Sequence, residues 1–182
     1  MAVKEKAVAL ARLLLQDCTR LLQLYTTRES LPSNSVSGSQ LVSIPPLTPQ
    51  LSPSEKICFL HAALQACLRL LDTAIAQEDA NFPSTPEDEY TKQRRTVRDR
   101  LNSLVWSTER LLVGGKRCDA EAKELMDGGV FALKKWILQL LQDLVYWSNK
   151  TAETLQTLPA LTATKPRTRR SATNKEAYKL RK

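Results

Sequence analysis

Apolar residues recur at intervals of three and four along four separate stretches of the chain. The first runs from about residue 3 to 28, with Ala7, Leu10, Ala11, Leu14, Cys18, Leu21 and Tyr25 on one stripe. The second, 53–79, carries Ile57, Leu60, Leu64, Leu68, Leu71 and Ile75. The third, 86–113, carries Val97, Leu101, Leu104, Val105, Leu111 and Leu112. The fourth, 130–158, carries Leu133, Ile137, Leu140, Leu144, Trp147, Thr151 and Leu155. This period matches one face of an α-helix, so four amphipathic helices are predicted.

The punctuation between them agrees. Ser52-Pro53-Ser54-Glu55 places a hydroxyl at the N-cap, proline at the first helical position and glutamate three residues on, which is a capping box. Thr85-Pro86-Glu87-Asp88 is expected to open the third helix in the same way, and Gly114-Gly115 to close it. Gly128-Gly129 precede the fourth helix and Pro159 stops it. Between the first two helices, Pro32, Gly38, Pro45, Pro46 and Pro49 stand among serines and exclude a helix.

Connection lengths then select a topology. Helices of this size are roughly 40 Å long at 1.5 Å per residue. The second connection, about residues 80–85, cannot recross that length, so the second and third helices are antiparallel neighbours. The first connection reaches roughly 75 Å when extended and the third roughly 50 Å, enough to carry the chain back along the bundle. Long, short, long is the pattern of an all-α, up-up-down-down long-chain four-helix bundle with crossover loops. One domain over residues 1–160 is predicted, followed by a basic, disordered tail over 161–182.

Composition narrows the function. The formal charge is +8, but the last 18 residues hold eight bases against one acid, which leaves +1 for residues 1–164. The basic signal therefore belongs to the tail, and nucleic acid is not an expected partner of the body. No uninterrupted apolar run approaches the ~20 residues of a bilayer span, so membrane insertion is not expected. Lys4 and Lys6 followed by Ala7–Leu15 imitate a signal peptide, but Arg12 interrupts the run and no small-residue cleavage site follows. A signal peptide is therefore not expected, and the expected residence is cytoplasmic.

Cys18, Cys58, Cys67 and Cys118 permit three pairings if all are bridged. Cys58 and Cys67 share one helix roughly 13 Å apart along its axis and cannot bridge each other. With a cytoplasmic origin, free thiols are expected. The single histidine, His61, has no partner ligands at metal-site spacing. No nucleophile and base, metal set or phosphate loop is present, so neither catalysis nor a cofactor is expected.

The segment Gly128-Gly-Val-Phe-Ala-Leu-Lys-Lys-Trp136 is the most informative. At 100° per residue, Phe131 points roughly 150° away from Leu133, Ile137, Leu140 and Leu144. Lys134 lies beside it three residues on, and Lys134 and Lys135 sit in the first turns, where the helix dipole disfavours cations. Two readings follow: an outward binding hot spot, or a buried stripe widened by Phe131, Leu138 and Val145.

Four ordered blocks carry a family resemblance. They are Gly128–Leu158, with its GGxFxxKxW start and later QDLVYW; Ala11-Arg12, Asp17, Thr19, Leu21 and Tyr25; Leu51–Glu55; and Ala76–Pro86. Together, over roughly residues 8–158, they resemble the interleukin-6-type long-chain helical cytokines. That resemblance implies a receptor-assembling ligand with three contact sites, which a cytoplasmic chain would reach by unconventional release and action outside the cell. Phe131 and Lys134 match the family's FxxK pair, which docks on the leukaemia-inhibitory-factor receptor. The shared signal-transducing chain would meet exposed faces of the first and third helices, where Arg12, Gln16, Lys92, Arg95 and Asp99 are placed by face. An α receptor would meet the end of the first connection and the C-terminal half of the fourth helix, near Trp147 and Lys150. Lys150 stands where the family pattern has arginine, and its ammonium lacks the guanidinium's bidentate fork. Trp147 also lies on the apolar stripe, which makes core its better reading.

Two smaller signals remain. Asn149-Lys150-Thr151 is a glycosylation sequon within a helix. The tail offers a heparan sulfate contact or merely a solvated charge run. A competing reading is an intracellular helical module that uses this tail on acidic surfaces or nucleic acid, supported by Arg94, Arg95, Arg98 and Arg100.

Overall fold

The computed structural model describes residues 2–31 and 40–159; the tail over 161–182 lies outside the described residues, as do Pro32 and Gly38. Four helices dominate: α1 Val3–Glu29, α2 Pro53–Asn81, α3 Glu89–Glu109 and α4 Gly129–Thr157. Two short strands, β1 Val42–Ser43 and β2 Glu121–Ala122, lie in the long connections.

Local chemistry sets the boundaries. α1 ends at Ser30, whose left-handed φ of 50° lets Leu31 N–H reach back to the Thr26 carbonyl. At α2 both halves of the capping box form: Ser52 Oγ accepts from Glu55 N at 3.1 Å and Glu55 Oε2 accepts from Ser52 N at 2.8 Å. α3 starts later and ends earlier than the sequence pattern suggests. Residues 85–88 form a turn closed by Asp88 N–H on the Thr85 carbonyl, and the Asp88 carboxylate, not Thr85, caps the helix by accepting from Thr91 N. A carboxylate at the N-cap suits the helix dipole as well as the orphan amide. At the other end, Leu111 and Leu112 donate to the carbonyls three residues back, so the helix tightens into turns before Gly114.

Contacts between the helices fix their directions. Lys4 Nζ donates to the Leu158 carbonyl and Arg12 to Gln156, while Tyr25 Oη donates to the Lys134 carbonyl at 3.1 Å. α1 and α4 are therefore antiparallel. Tyr25 packs against Tyr90, and Asp17 pairs with Arg100, so α3 also runs against α1. Glu78 meets Tyr90 and His61 meets Thr108, which makes α2 and α3 antiparallel. α1 and α2 thus point one way, α3 and α4 the other: the up-up-down-down order expected from the connections. Each of α1 and α2 packs on both α3 and α4.

The core follows the four stripes. Ala7, Ala11, Leu14, Cys18, Leu21 and Tyr25 of α1 meet Leu60, Leu64, Leu71, Leu101, Leu104, Ile137, Leu144 and Leu155. Each fully buried leucine contributes roughly 2 kcal/mol of transfer free energy. α2 is long and apolar enough to cross a bilayer, although uninterrupted runs gave no such sign; most of that window is buried inside the bundle. Its apolarity belongs to a core helix.

Two features escape sequence periodicity. β1 pairs antiparallel with β2, Val42 opposite Ala122, so the two crossover connections meet. Cys58 and Cys118 form a disulfide, with Cα atoms 5.6 Å apart, which overturns the expectation of free thiols for this pair. The connection between α3 and α4 folds back over the start of α2, a proximity that spacing along one helix does not reveal. Cys18 and Cys67 are free and buried.

Candidate functional site

The start of α4 is built from two glycines. Gly129 adopts φ +80°, a conformation strained for any side chain, and a Cβ on Gly128 would lie 2.7 Å from Ala132 Cβ. The chain can thus enter the helix abruptly, with its first turn standing clear of the bundle.

On that turn Phe131 is 77% exposed, beside exposed Val130 and Met126. Of the two readings of this position, the outward one describes where the ring lies. Leu138 is buried and Val145 half-buried, so the stripe widens without Phe131. Lys134 is held differently. Its Nζ pairs with Glu29 Oε2 at 2.6 Å and lies 5.2 Å from the centre of the Phe82 ring. Burial raises the Glu29 pKa, but hydrogen bonds from Lys134 and Arg28 outweigh that and hold it below the ordinary carboxylate value. Lys134 therefore presents its charge from a fixed position, steadied by α1 and by the α2–α3 connection.

Behind this surface lies a charged cage. Glu78, buried on α2, accepts from Tyr90 Oη at 2.9 Å and pairs with Arg94 at 3.2 Å and Arg28 at 3.4 Å. Arg94 also reaches Asp79 at 2.9 Å, and the Arg28 guanidinium lies 4.3 Å from the Tyr90 ring centre. Burial drives the Glu78 pKa upward, against the opposing pull of Tyr90 and the two arginines. The cage ties the ends of α1, α2 and α3 together beneath the Phe131 turn.

The other sequence-predicted residues lie elsewhere. Arg12 and Gln16 are exposed on α1, Arg12 donating to Gln156 at 2.6 Å. Lys92, Arg95 and Asp99 are exposed on the outer face of α3. Sequence reasoning missed Trp106, 63% exposed, which shares their face seven residues beyond Asp99. A helical wheel could have found it, because Trp106 stands roughly 160° from the mean direction of the α3 stripe.

Trp147 is a correction: at 3% exposure it has no surface to offer a partner. Its indole N–H donates to the Val42 carbonyl at 3.2 Å, while Asp143 Oδ2 accepts from Val42 N at 2.9 Å. Burial lifts the Asp143 pKa to about 6 despite its backbone hydrogen bonds. Both side chains clip the connection between α1 and α2 onto α4. Lys150 is half-buried, and Asn149 is exposed with its amide on Glu153 Oε1. Among the described residues, no three His, Cys, Asp or Glu side chains gather as metal ligands. His61 is buried against Thr108, with its pKa lowered by desolvation.

Fold and surface together define a long-chain up-up-down-down four-helix bundle, the architecture of helical cytokines. No protein-family model matches the chain. In sequence it is similar to ciliary neurotrophic factor of Mus musculus, 23% identical over 163 residues, covering 84% of this chain and 81% of the relative.

Proposed function

We propose that this protein is a cytokine of neurotrophic type that binds and assembles a multi-chain cell-surface receptor and thereby activates JAK/STAT signalling. The observation that carries the reading is the exposed Phe131 on a glycine-freed helix start, with Lys134 fixed beside it in FxxK spacing. A large aromatic held in water beside a positioned cation costs solubility and adds nothing to the core, which is the signature of an interface anchor. The partner at this turn is a receptor chain of the leukaemia-inhibitory-factor-receptor type. Arg12, Gln16, Lys92, Arg95 and Asp99, with Trp106, form the face for the shared signal-transducing chain. Lys150 and the α1–α2 connection form the α-receptor contact, with Trp147 positioning that connection from beneath. The basic residues beyond 164 bind heparan sulfate. The similarity to a neurotrophic cytokine supports the class, and the separation of these surfaces supports several receptor chains.

The test is binding of the full chain to the purified ectodomain of a leukaemia-inhibitory-factor-receptor-type chain. Phe131→Ala is the clean variant, since its side chain supports no packing, and binding is expected to weaken at least 100-fold with melting unchanged. Unaltered affinity would remove Phe131 from the interface.

A further inference from the structure

The connection between α3 and α4 is attached unevenly. Downstream it is anchored by hydrogen bonds: β2 pairs with β1, Lys123 N donates to the Leu41 carbonyl at 2.8 Å, and Trp136 Nε1 donates to the Lys123 carbonyl at 3.1 Å. Upstream, Leu111 is buried. Between these anchors, residues 113–117 and 119 are exposed. A cavity of about 440 Å³, bordered by His61, Gln65, Glu109 and Lys116, separates this stretch from α2. Gly114 and Gly115 adopt φ of +74° and +65°, so its entry is a turn and not a packed helix end. Leu112 and Ala120 at its edges pack on the core, and between them the Cys58–Cys118 bridge draws the stretch onto α2, assisted by a solvated Lys116–Glu55 pair at 3.4 Å. A solvated pair of that kind contributes little.

We propose that the Cys58–Cys118 bridge is a redox-operated clasp: closed, it holds residues 113–119 against α2, and opened by a dithiol it frees that stretch while the four-helix body stays folded. This goes beyond the receptor reading and does not depend on it. Cys118 is half-buried, so a thiolate reaches its sulfur. Attack there forms a mixed disulfide and expels Cys58 as thiolate, which takes up a proton. The reagent's second thiol then displaces Cys118 and closes the reagent's own disulfide. In total the protein gains two electrons and two protons, and the dithiol is oxidised. The other two cysteines do not compete. Cys18 and Cys67 are fully buried in the bundle, and desolvation keeps both as thiols. One bridge therefore opens in a reducing compartment and closes in an oxidising one, without mispairing.

The experiment compares the full chain, oxidised and after dithiothreitol, by native thiol alkylation and by limited trypsin digestion read by mass spectrometry. Alkylation is expected to label Cys58 and Cys118 only after reduction, and Cys18 and Cys67 in neither form. Cleavage after Lys116 and Arg117 should speed at least tenfold on reduction, with cleavage within α1 and α4 unchanged. Cys118→Ser should reproduce the open pattern with or without reductant. Three results overturn the proposal: cleavage after Lys116 and Arg117 that ignores reduction, new cleavage within the helices as well, or labelling of Cys18 or Cys67 in the folded oxidised chain.

Discussion

Glu29, in the last turn of α1, pairs at 2.6 Å with Lys134, 105 positions later near the start of α4. The pair joins a helix end to the turn that carries Phe131, and its carboxylate is mostly shielded from water. In a double-mutant cycle, Glu29→Gln and Lys134→Met are expected to couple by about 0.5–1 kcal/mol at neutral pH. Because the folded carboxyl titrates below its ordinary value, this stability is present at neutral pH and is lost as pH falls through the folded pKa. Urea unfolding at pH 7 and near pH 3 measures it. A coupling that persists in acid would show that the pair acts by packing and not by charge.

The cage around Glu78 predicts a larger cost. Arg94→Met removes the guanidinium that meets both Glu78 and Asp79, and leaves a buried carboxylate with Arg28 and Tyr90 alone. A loss of about 3 kcal/mol is expected, since breaking a buried pair from one side strands the other charge. Tyr90→Phe should cost about 1–2 kcal/mol, by removing one hydrogen bond from the same carboxylate. Denaturant titration with an unchanged slope is the measurement, and a loss below about 1 kcal/mol for Arg94→Met would show that water replaces the arginine.

Asp143 predicts a pH dependence of the opposite sign. Its folded pKa of about 6 lies above the ordinary aspartate value, so between the two the folded chain holds the extra proton. Its contribution is therefore greatest below the ordinary value and declines as pH rises through about 6. Asp143→Asn keeps an oxygen to accept from Val42 N–H and removes the titration. The stability of the parent minus that of the variant should fall as pH rises from about 4 to 6, and stay level outside that window. A level difference throughout would place the carboxylate in a wetter setting than its burial implies.

Much of this was legible in the chain. Ser52 and Glu55 specify their capping box by local spacing alone, and the lengths of the connections selected the topology because span is simple geometry. Phe131 could be aimed outward because a helix repeats its directions. Cys58 with Cys118, Glu29 with Lys134, and Val42 with Trp147 were not legible, since each joins segments far apart in sequence. Thr85 lost the α3 cap to Asp88 because both residues satisfy the local rule, and only the path of the turn decides between them. Trp147 sat on the apolar stripe, and burial claimed it. Trp106 was readable from the wheel but carries no motif to draw the eye.

The β1–β2 ladder has a kinetic consequence. Its hydrogen bonds join residues about 80 positions apart, with all of α2 and α3 between them. Closing so long a loop for two residues of pairing is unfavourable until the intervening hairpin has collapsed. The ladder is therefore a late event in assembly: α2 and α3 come together first, and the crossovers lock over a bundle whose order is already decided.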